Sequence, residues 1–274
     1  QHHRYFRDVI RHHLKLAGVL RIDHMMSFHR LFVIPSGSAA HEGVYLKYPA
    51  EELYAILCLE AHLSGRTIVG EDLGSVPDYV REEMDKHGLK RMFVVPFEID
   101  DQNDSFLHPI PQNCLACLNT HDMPTFAGYY EGRDIQDRFD LGSLSDSDAK
   151  AERHQREKQL NTLKGTLSSA GYLKNNVTPG KTLWAALKFL SVSQADMVLL
   201  NLEDIWLEPK PHNVPGTTGE RPNWRRKAKF SLDSIINSEK IKKLLTEINE
   251  LRLNADSCSR ERKPLKENPI INQK

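Results

Sequence analysis

The chain has 274 residues, enough for one large α/β domain or two smaller ones. Apolar residues make up 39% and charged residues 27%, an ordinary globular balance, and 37 Lys plus Arg offset 37 Asp plus Glu. The zero formal charge gives no support for nucleic acid or an anionic membrane as partner, and no apolar run nears the ~18 residues of a bilayer span.

The amino end is polar and His-rich rather than basic-then-apolar, so no secretory leader is read there. Residue 1 is Gln, and residues 5–14 read at once as a helix with Phe6, Ile10 and Leu14 on one face. The chain is therefore expected to begin inside a domain. A strand, Val19-Leu20-Arg21-Ile22, ends in Asp23. Residues 25–48 read as a long irregular connection with Pro35, Gly37 and Gly43, a length usually reserved for functional loops. A helix is expected from about Pro49, carried by Leu53, Ile56, Leu59 and Leu63 and ended by Gly65. Residues 66–70 form the next strand, 77–86 a helix closed by Gly88, 91–97 a third strand and 113–119 a fourth. Continuous apolar strands alternating with helices are the pattern of a parallel sheet covered by helices.

Residues 131–180 are charged and read as helices on the outer surface, an insertion peripheral to the chemistry. A helix over 182–193 leads to a final strand over 196–202, which ends near Glu203 and Asp204. Residues 209–224 cluster Pro, Gly and Thr and read as loop. Ile241, Leu244, Leu245, Ile248 and Leu251 mark an amphipathic closing helix. The catalytic portion is expected to span 1–258, with a flexible tail over 259–274. Cys58, Cys114, Cys117 and Cys258 lack the spacing of a zinc site, since one CxxC stands alone, and read as reduced thiols. That usage fits a reducing compartment and a cytoplasmic location. Neither a cofactor nor a metal is expected, for no Gly-rich phosphate loop or ligand-spaced cluster is present.

Three carboxylates stand out because each follows a strand-like run. These are Asp23, Glu71 in Thr67-Ile68-Val69-Gly70-Glu71-Asp72-Leu73-Gly74, and Asp122 in Leu118-Asn119-Thr120-His121-Asp122. In a (β/α) barrel the carboxyl ends of strands meet on the face that carries the chemistry. Three carboxylates there suit cleavage of a glycosidic bond. Arg21 lies two positions before Asp23, on the same face of a strand, and would orient it as a nucleophile; the alternative is a simple ion pair. Glu71, among apolar residues and beside Asp72, suits a general acid, or is an exposed turn acid. His121 and Asp122 suit sugar hydroxyls, or Asp122 caps the helix that follows Pro124.

Arg21-Ile22-Asp23-His24 resembles the nucleophile motif of the α-amylase clan. Gly70-Glu71-Asp72-Leu73-Gly74 resembles the acid/base motif of its 4-α-glucanotransferase (amylomaltase) branch, and Asn119-Thr120-His121-Asp122-Met123-Pro124-Thr125 resembles the third clan motif. The segment Asn213-Val214-Pro215-Gly216-Thr217-Thr218, with Pro222-Asn223-Trp224-Arg225-Arg226-Lys227, is similar to a late signature of the same branch. The resemblance runs from about residue 4 to about 254.

It implies a (β/α)8 TIM-barrel fold, of which these residues hold the C-terminal part, about strands 4 to 8. It implies retaining transfer between α-1,4-glucans, such as maltooligosaccharides, starch or glycogen-derived dextrins. Asp23 would be the nucleophile, Glu71 the acid/base and Asp122 the transition-state stabiliser, with Arg21 positioning Asp23. His121, His24 and Tyr45 would touch substrate, Tyr45 by stacking on a sugar ring. Trp224 is expected to be structural, and Arg225 and Arg226 to form ion pairs. Alternatives are an α-glucan hydrolase of the same clan and a non-catalytic glucan-binding fragment. Members of the branch are much longer, so the chain is expected to be a fragment with little activity alone.

Overall fold

A computed structural model describes residues 3–100, 106–174 and 177–260, with residues 256–260 as backbone only. The chain divides into two compact units. The first is Gln1–Asn119 with Ala195–Leu199, and the second is Thr120–Gln194 with Leu200–Lys274.

In the first unit, helix α1 (Arg4–Leu14) runs into strand β1 (Val19–Ile22). The connection over 25–48 is not irregular, as its Pro and Gly content suggested. It begins with a 3-10 turn (Met25–Phe28) and then forms an antiparallel hairpin, β2 (Arg30–Val33) with β3 (Val44–Lys47), in which Phe32 faces Tyr45. Its apolar runs are rich in β-branched and aromatic residues, which favour strands. Both faces are exposed, from Leu31 and Phe32 to Tyr45 and Leu46, so no polar alternation announces the strands.

Helix α2 (Ala50–Ser64) starts after Pro49 and ends at Gly65, whose left-handed φ of 62° returns its N–H to Ala61 and His62. Strand β4 (Thr67–Gly70), helix α3 (Asp78–Lys86) and strand β5 (Arg91–Val94) follow. β5 stops short of the expected residue 97 because Pro96 has no N–H for a ladder, and Val95–Phe97 forms a 3-10 turn instead. A small antiparallel pair, β6 (Ile99–Asp100) with β7 (Phe106–Leu107), precedes β8 (Cys114–Cys117), and β9 (Met197–Leu199) completes the unit.

Five parallel strands then lie in the order β1-β4-β5-β8-β9. Ladders join β1 to β4, β5 to β8 and β8 to β9. β4 meets β5 through the parallel Val69–Lys90 bridge, where Gly70 N donates to Lys90 O at 2.8 Å. Ile10, Leu14, Met25, Phe28, Tyr54, Leu57, Ile68, Val80 and Met84 pack one face of this sheet beneath α1, α2 and α3. Gly70 is required here by close approach. A Cβ would stand 2.5 Å from Met25 Cγ and 2.7 Å from Met84 Cε, one residue before Glu71.

The second unit is helical. It contains α4 (Phe126–Glu131), α5 (Arg133–Asp140), α6 (Asp146–Ser169), α7 (Pro179–Ser191), α8 (Leu232–Ile236) and α9 (Glu239–Arg260). The stretch over 131–180 is helical, as its charge pattern suggested, and it also buries an apolar stripe. Helix α6 buries Ala149, Leu160, Thr162, Leu163 and Leu167, and Arg156 reaches from it to Asp134 at 2.9 and 2.8 Å. The charged residues of α6 hid that narrow apolar stripe. Helix α9 runs two residues into the expected tail, and residues 261–274 lie outside the described residues.

Candidate functional site

The carboxyl ends of β1 and β4 hold the first group of candidate residues. The register pairs Ile22 with Gly70, so Asp23 and Glu71 leave their strands at the same level. Glu71 is fastened to the segment around Asp23 at three points. Its N–H donates to Ile22 O at 2.8 Å, its carbonyl accepts from Met25 N at 3.0 Å, and Oε2 accepts from His24 N at 2.9 Å. Oε1 accepts from Leu73 N at 2.7 Å. His24 takes a left-handed φ of 52°, uncommon outside glycine, and turns the chain directly after Asp23.

Arg21 Nη1 donates to Asp23 Oδ1 at 2.8 Å, as the two-residue spacing predicts, while Arg21 Nε lies 3.4 Å from Met92 Sδ. The Asp23 side chain is 76% exposed, so its open oxygen faces solvent. Asp72 is different. It is buried and accepts from Met92 N and from Arg91 Nε, both at 2.9 Å. Sequence reading passed over it, because a buried Asp in a turn looks no different from an exposed one. It clamps the turn that carries Glu71 to the start of β5. Burial pushes the Glu98 carboxyl upward, against the pull of His108, Arg81 and Arg91.

Tyr45 stands away from this group in the strand register, on the exposed hairpin. The Arg30 guanidinium lies 4.3 Å over its ring and Phe32 packs at 5.0 Å.

The second unit holds the third carboxylate. Asp122 does not cap a helix. Thr125 caps α4, its hydroxyl accepting from Gly128 N at 3.2 Å. Asp122 Oδ1 instead accepts from Asn213 Nδ2 at 2.7 Å, and Oδ2 lies 3.2 Å from His121 Nε2. Asn223 holds the same loop, accepting from Val214 N at 3.1 Å and donating to Thr217 O and Oγ1 at 3.1 and 2.8 Å. Trp224, expected to be structural, is 62% exposed, and its ring lies 5.7 Å from that of His121. Arg226 forms its expected ion pair, with Glu208 at 2.9 Å.

Glu203 and Asp204 part company. Asp204 is buried and accepts from Phe126 N at 2.7 Å, so it fixes the start of α4. Burial acts most strongly, to raise the Glu203 carboxyl, but its hydrogen bond to His212, a backbone hydrogen bond and the charges of His212 and Arg226 together hold it below the usual range.

Among the described residues, one spatial grouping of possible ligands is present that spacing along the sequence does not reveal. Glu51, Glu83 and His87 bring three ligand atoms within 4.8 Å of one another. The Lys86 ammonium already sits on both carboxylates, at 2.9 and 3.2 Å. Cys58, Cys114 and Cys117 are free thiols, and burial pushes Cys114 and Cys117 up to about 12. The side chain of Cys258 lies outside the described residues. Among the described residues, no helix is long and apolar enough to cross a membrane.

A family model described as 4-alpha-glucanotransferase matches residues 1–233. A 4-alpha-glucanotransferase of Haemophilus influenzae is 32% identical over 256 residues, covering 90% of this chain and 36% of the relative. One from Mycobacterium bovis is 33% identical over 232 residues, covering 82% of this chain and 32% of the relative. The chain thus spans about a third of the length of these curated relatives. Among solved structures, the amylomaltase of Corynebacterium glutamicum superposes with a TM-score of 0.80 at 26% identity, over 88% of this chain and 37% of that one. The amylomaltase of Streptococcus agalactiae, solved in complex with acarbose, superposes at 0.68 with 19% identity, over 92% of this chain and 45% of that one. The fold is that of an amylomaltase-type (β/α)8 barrel, to which the five parallel strands belong.

Proposed function

This chain belongs to the 4-alpha-glucanotransferase family, and from that premise we propose that it carries the catalytic carboxylates of a retaining α-1,4-glucan transfer. Asp23 attacks the anomeric carbon while Glu71 gives a proton to the leaving glycosidic oxygen. Glu71, now a carboxylate, takes the proton of an acceptor 4-hydroxyl, which displaces Asp23 and restores the original anomeric configuration. Asp122 stabilises the cationic sugar at the transition state. Arg21 holds Asp23 in place through their hydrogen bond, and His121, His24 and Tyr45 contact the glucan. The substrates are maltooligosaccharides, starch and glycogen-derived dextrins, and the location is cytoplasmic, a reading supported by the free thiols of Cys58, Cys114 and Cys117 among the described residues.

The observation that carries this reading is the fastening of Glu71 to residues 22–25 at three points, which brackets Asp23. Retaining enzymes need their two carboxyl groups about 5–5.5 Å apart, the separation this reading expects between Asp23 and Glu71 once substrate is bound. The test is incubation of the chain with maltotriose, with products separated by thin-layer chromatography. Glucose plus a faint ladder of longer glucans, lost in Asp23→Asn, is the expected result, for the chain spans about a third of its relatives' length. Shorter sugars alone would mean hydrolysis, and no product from a folded sample would overturn the proposal that this chain performs the transfer.

A further inference from the structure

Trp224 has two costly features that the fold does not explain. Its φ is +59°, a left-handed conformation that a bulky aromatic residue rarely adopts. Its indole is 62% exposed, so burial does not compensate that strain. The loop nevertheless enforces the conformation. Trp224 N donates to His212 O at 2.9 Å, Arg225 N donates to Pro222 O at 3.2 Å, and Asn223 ties the preceding turn to Val214 and Thr217. Strain retained in a well-bonded segment, together with exposure of the side chain it presents, marks a position kept for what it contacts.

Its surroundings name the chemistry. The indole lies 5.7 Å from the His121 ring, inclined at 44°. His121 lies 3.2 Å from Asp122, and Asp122 is held from its other oxygen by Asn213 at 2.7 Å. An apolar aromatic face stands beside an imidazole, a carboxylate and an amide. Those groups match a ring with one face of C–H bonds and an edge of hydroxyls. The carboxylate disfavours an anionic ligand.

We infer that Trp224 is an aromatic platform that stacks on a glucosyl unit of the α-glucan, next to the unit whose hydroxyls His121 and Asp122 bind. This rests on the glucan chemistry proposed above and adds a contact to it. The platform also sets specificity, because it favours pyranoses that expose a flat C–H face.

The test labels the chain's three tryptophans with 5-fluorotryptophan, assigns Trp224 through Trp224→Phe, and titrates with maltoheptaose by 19F NMR. The His121 imidazole protons are followed in parallel. The expected result is a saturable shift of the Trp224 resonance together with His121. Trp224→Asn should weaken binding roughly two- to twelvefold, the range of one aromatic contact. It should leave Tm unchanged or raise it, because Asn tolerates the left-handed backbone. Trp224→Phe, which keeps a flat face, should retain most of the affinity. A shift at His121 with Trp224 unmoved would overturn the platform and leave the glucan reading standing. No shift at either residue would overturn both. A lower Tm in Trp224→Asn with unchanged affinity would show the indole to be structural and would also overturn the inference.

Discussion

Individual residues differ in how much of their role a sequence can reveal. Arg21 and Asp23 were legible because a two-residue step on a strand returns to the same face, and the 2.8 Å bond follows directly. The partners of Glu71 were not legible, because they are the backbone N–H groups of His24 and Leu73, which any residue supplies. Asp122 could be read as cap or reactant from the sequence, and it is Thr125 that caps α4. Two substitutions separate reaction from support. Arg21→Ala should lower kcat/KM on maltotriose about ten- to 150-fold, the worth of one hydrogen bond to a charged group. Its Tm should hardly move, since Asp23 is largely exposed and surface pairs contribute little. Unchanged turnover would remove Arg21 from the reaction. Asp72→Asn should behave in the opposite way. Its carboxylate is 1% exposed and bonds Arg91 and Met92, so the change should cost about 3 kcal/mol in chemical denaturation. A loss below about 1 kcal/mol would mean that the clamp is not structural.

At the scale of elements, helices and buried strands were read within a few residues, because Pro, Gly and apolar spacing act locally. The hairpin was missed because neither of its faces is buried, and the α6 stripe because charge surrounds it. Packing between elements was invisible as well, and two predictions follow from it. Gly70→Ala would place a methyl on Met25 Cγ inside the core, and Met25 is 0% exposed. A cost of about 1–3 kcal/mol in urea unfolding is expected. Full wild-type stability would show that the two methionines yield freely. Helix α1 is pinned to α2 by Arg11, whose Nε and Nη2 donate to the buried Glu60 at 2.9 and 2.6 Å. That bond holds the Glu60 carboxyl below its usual range. A depressed acid contributes stability that is complete above its unfolded value, about 4.3, and lost as pH falls through the folded value. The Tm advantage of the wild type over Glu60→Gln should therefore be full at pH 6–7 and shrink steadily below about pH 4.3. A constant difference across that range would mean that the pair adds nothing.

For the molecule as a whole, five strands, a parallel sheet and a net charge of zero were legible in the sequence, the strand order comes from the structure, and these facts combine into a prediction about behaviour in solution. Among the described residues, β1 pairs only with β4 and β9 only with β8, so within these residues one side of each of the two strands is outside the ladder. Such edges are templates for pairing with another chain. The β2–β3 hairpin adds a second liability, for Leu31, Phe32, Val33, Val44, Tyr45 and Leu46 are each 38–57% exposed. Contiguous apolar surface of that kind drives association, and a chain with no net charge has little long-range repulsion to oppose it. The chain should therefore self-associate near pH 7 as its concentration rises, read by light scattering behind size exclusion. Phe32→Lys with Leu46→Lys should reduce the association, by removing apolar area and raising net charge together. The same two lysines placed at exposed positions of α6, such as Gln155 and Ser168, raise the charge but leave the hairpin intact. If they suppress association equally well, charge alone governs it. If neither pair does, the sheet edges are the contact, and hydrogen–deuterium exchange should then show β1 or β9 growing more protected with concentration.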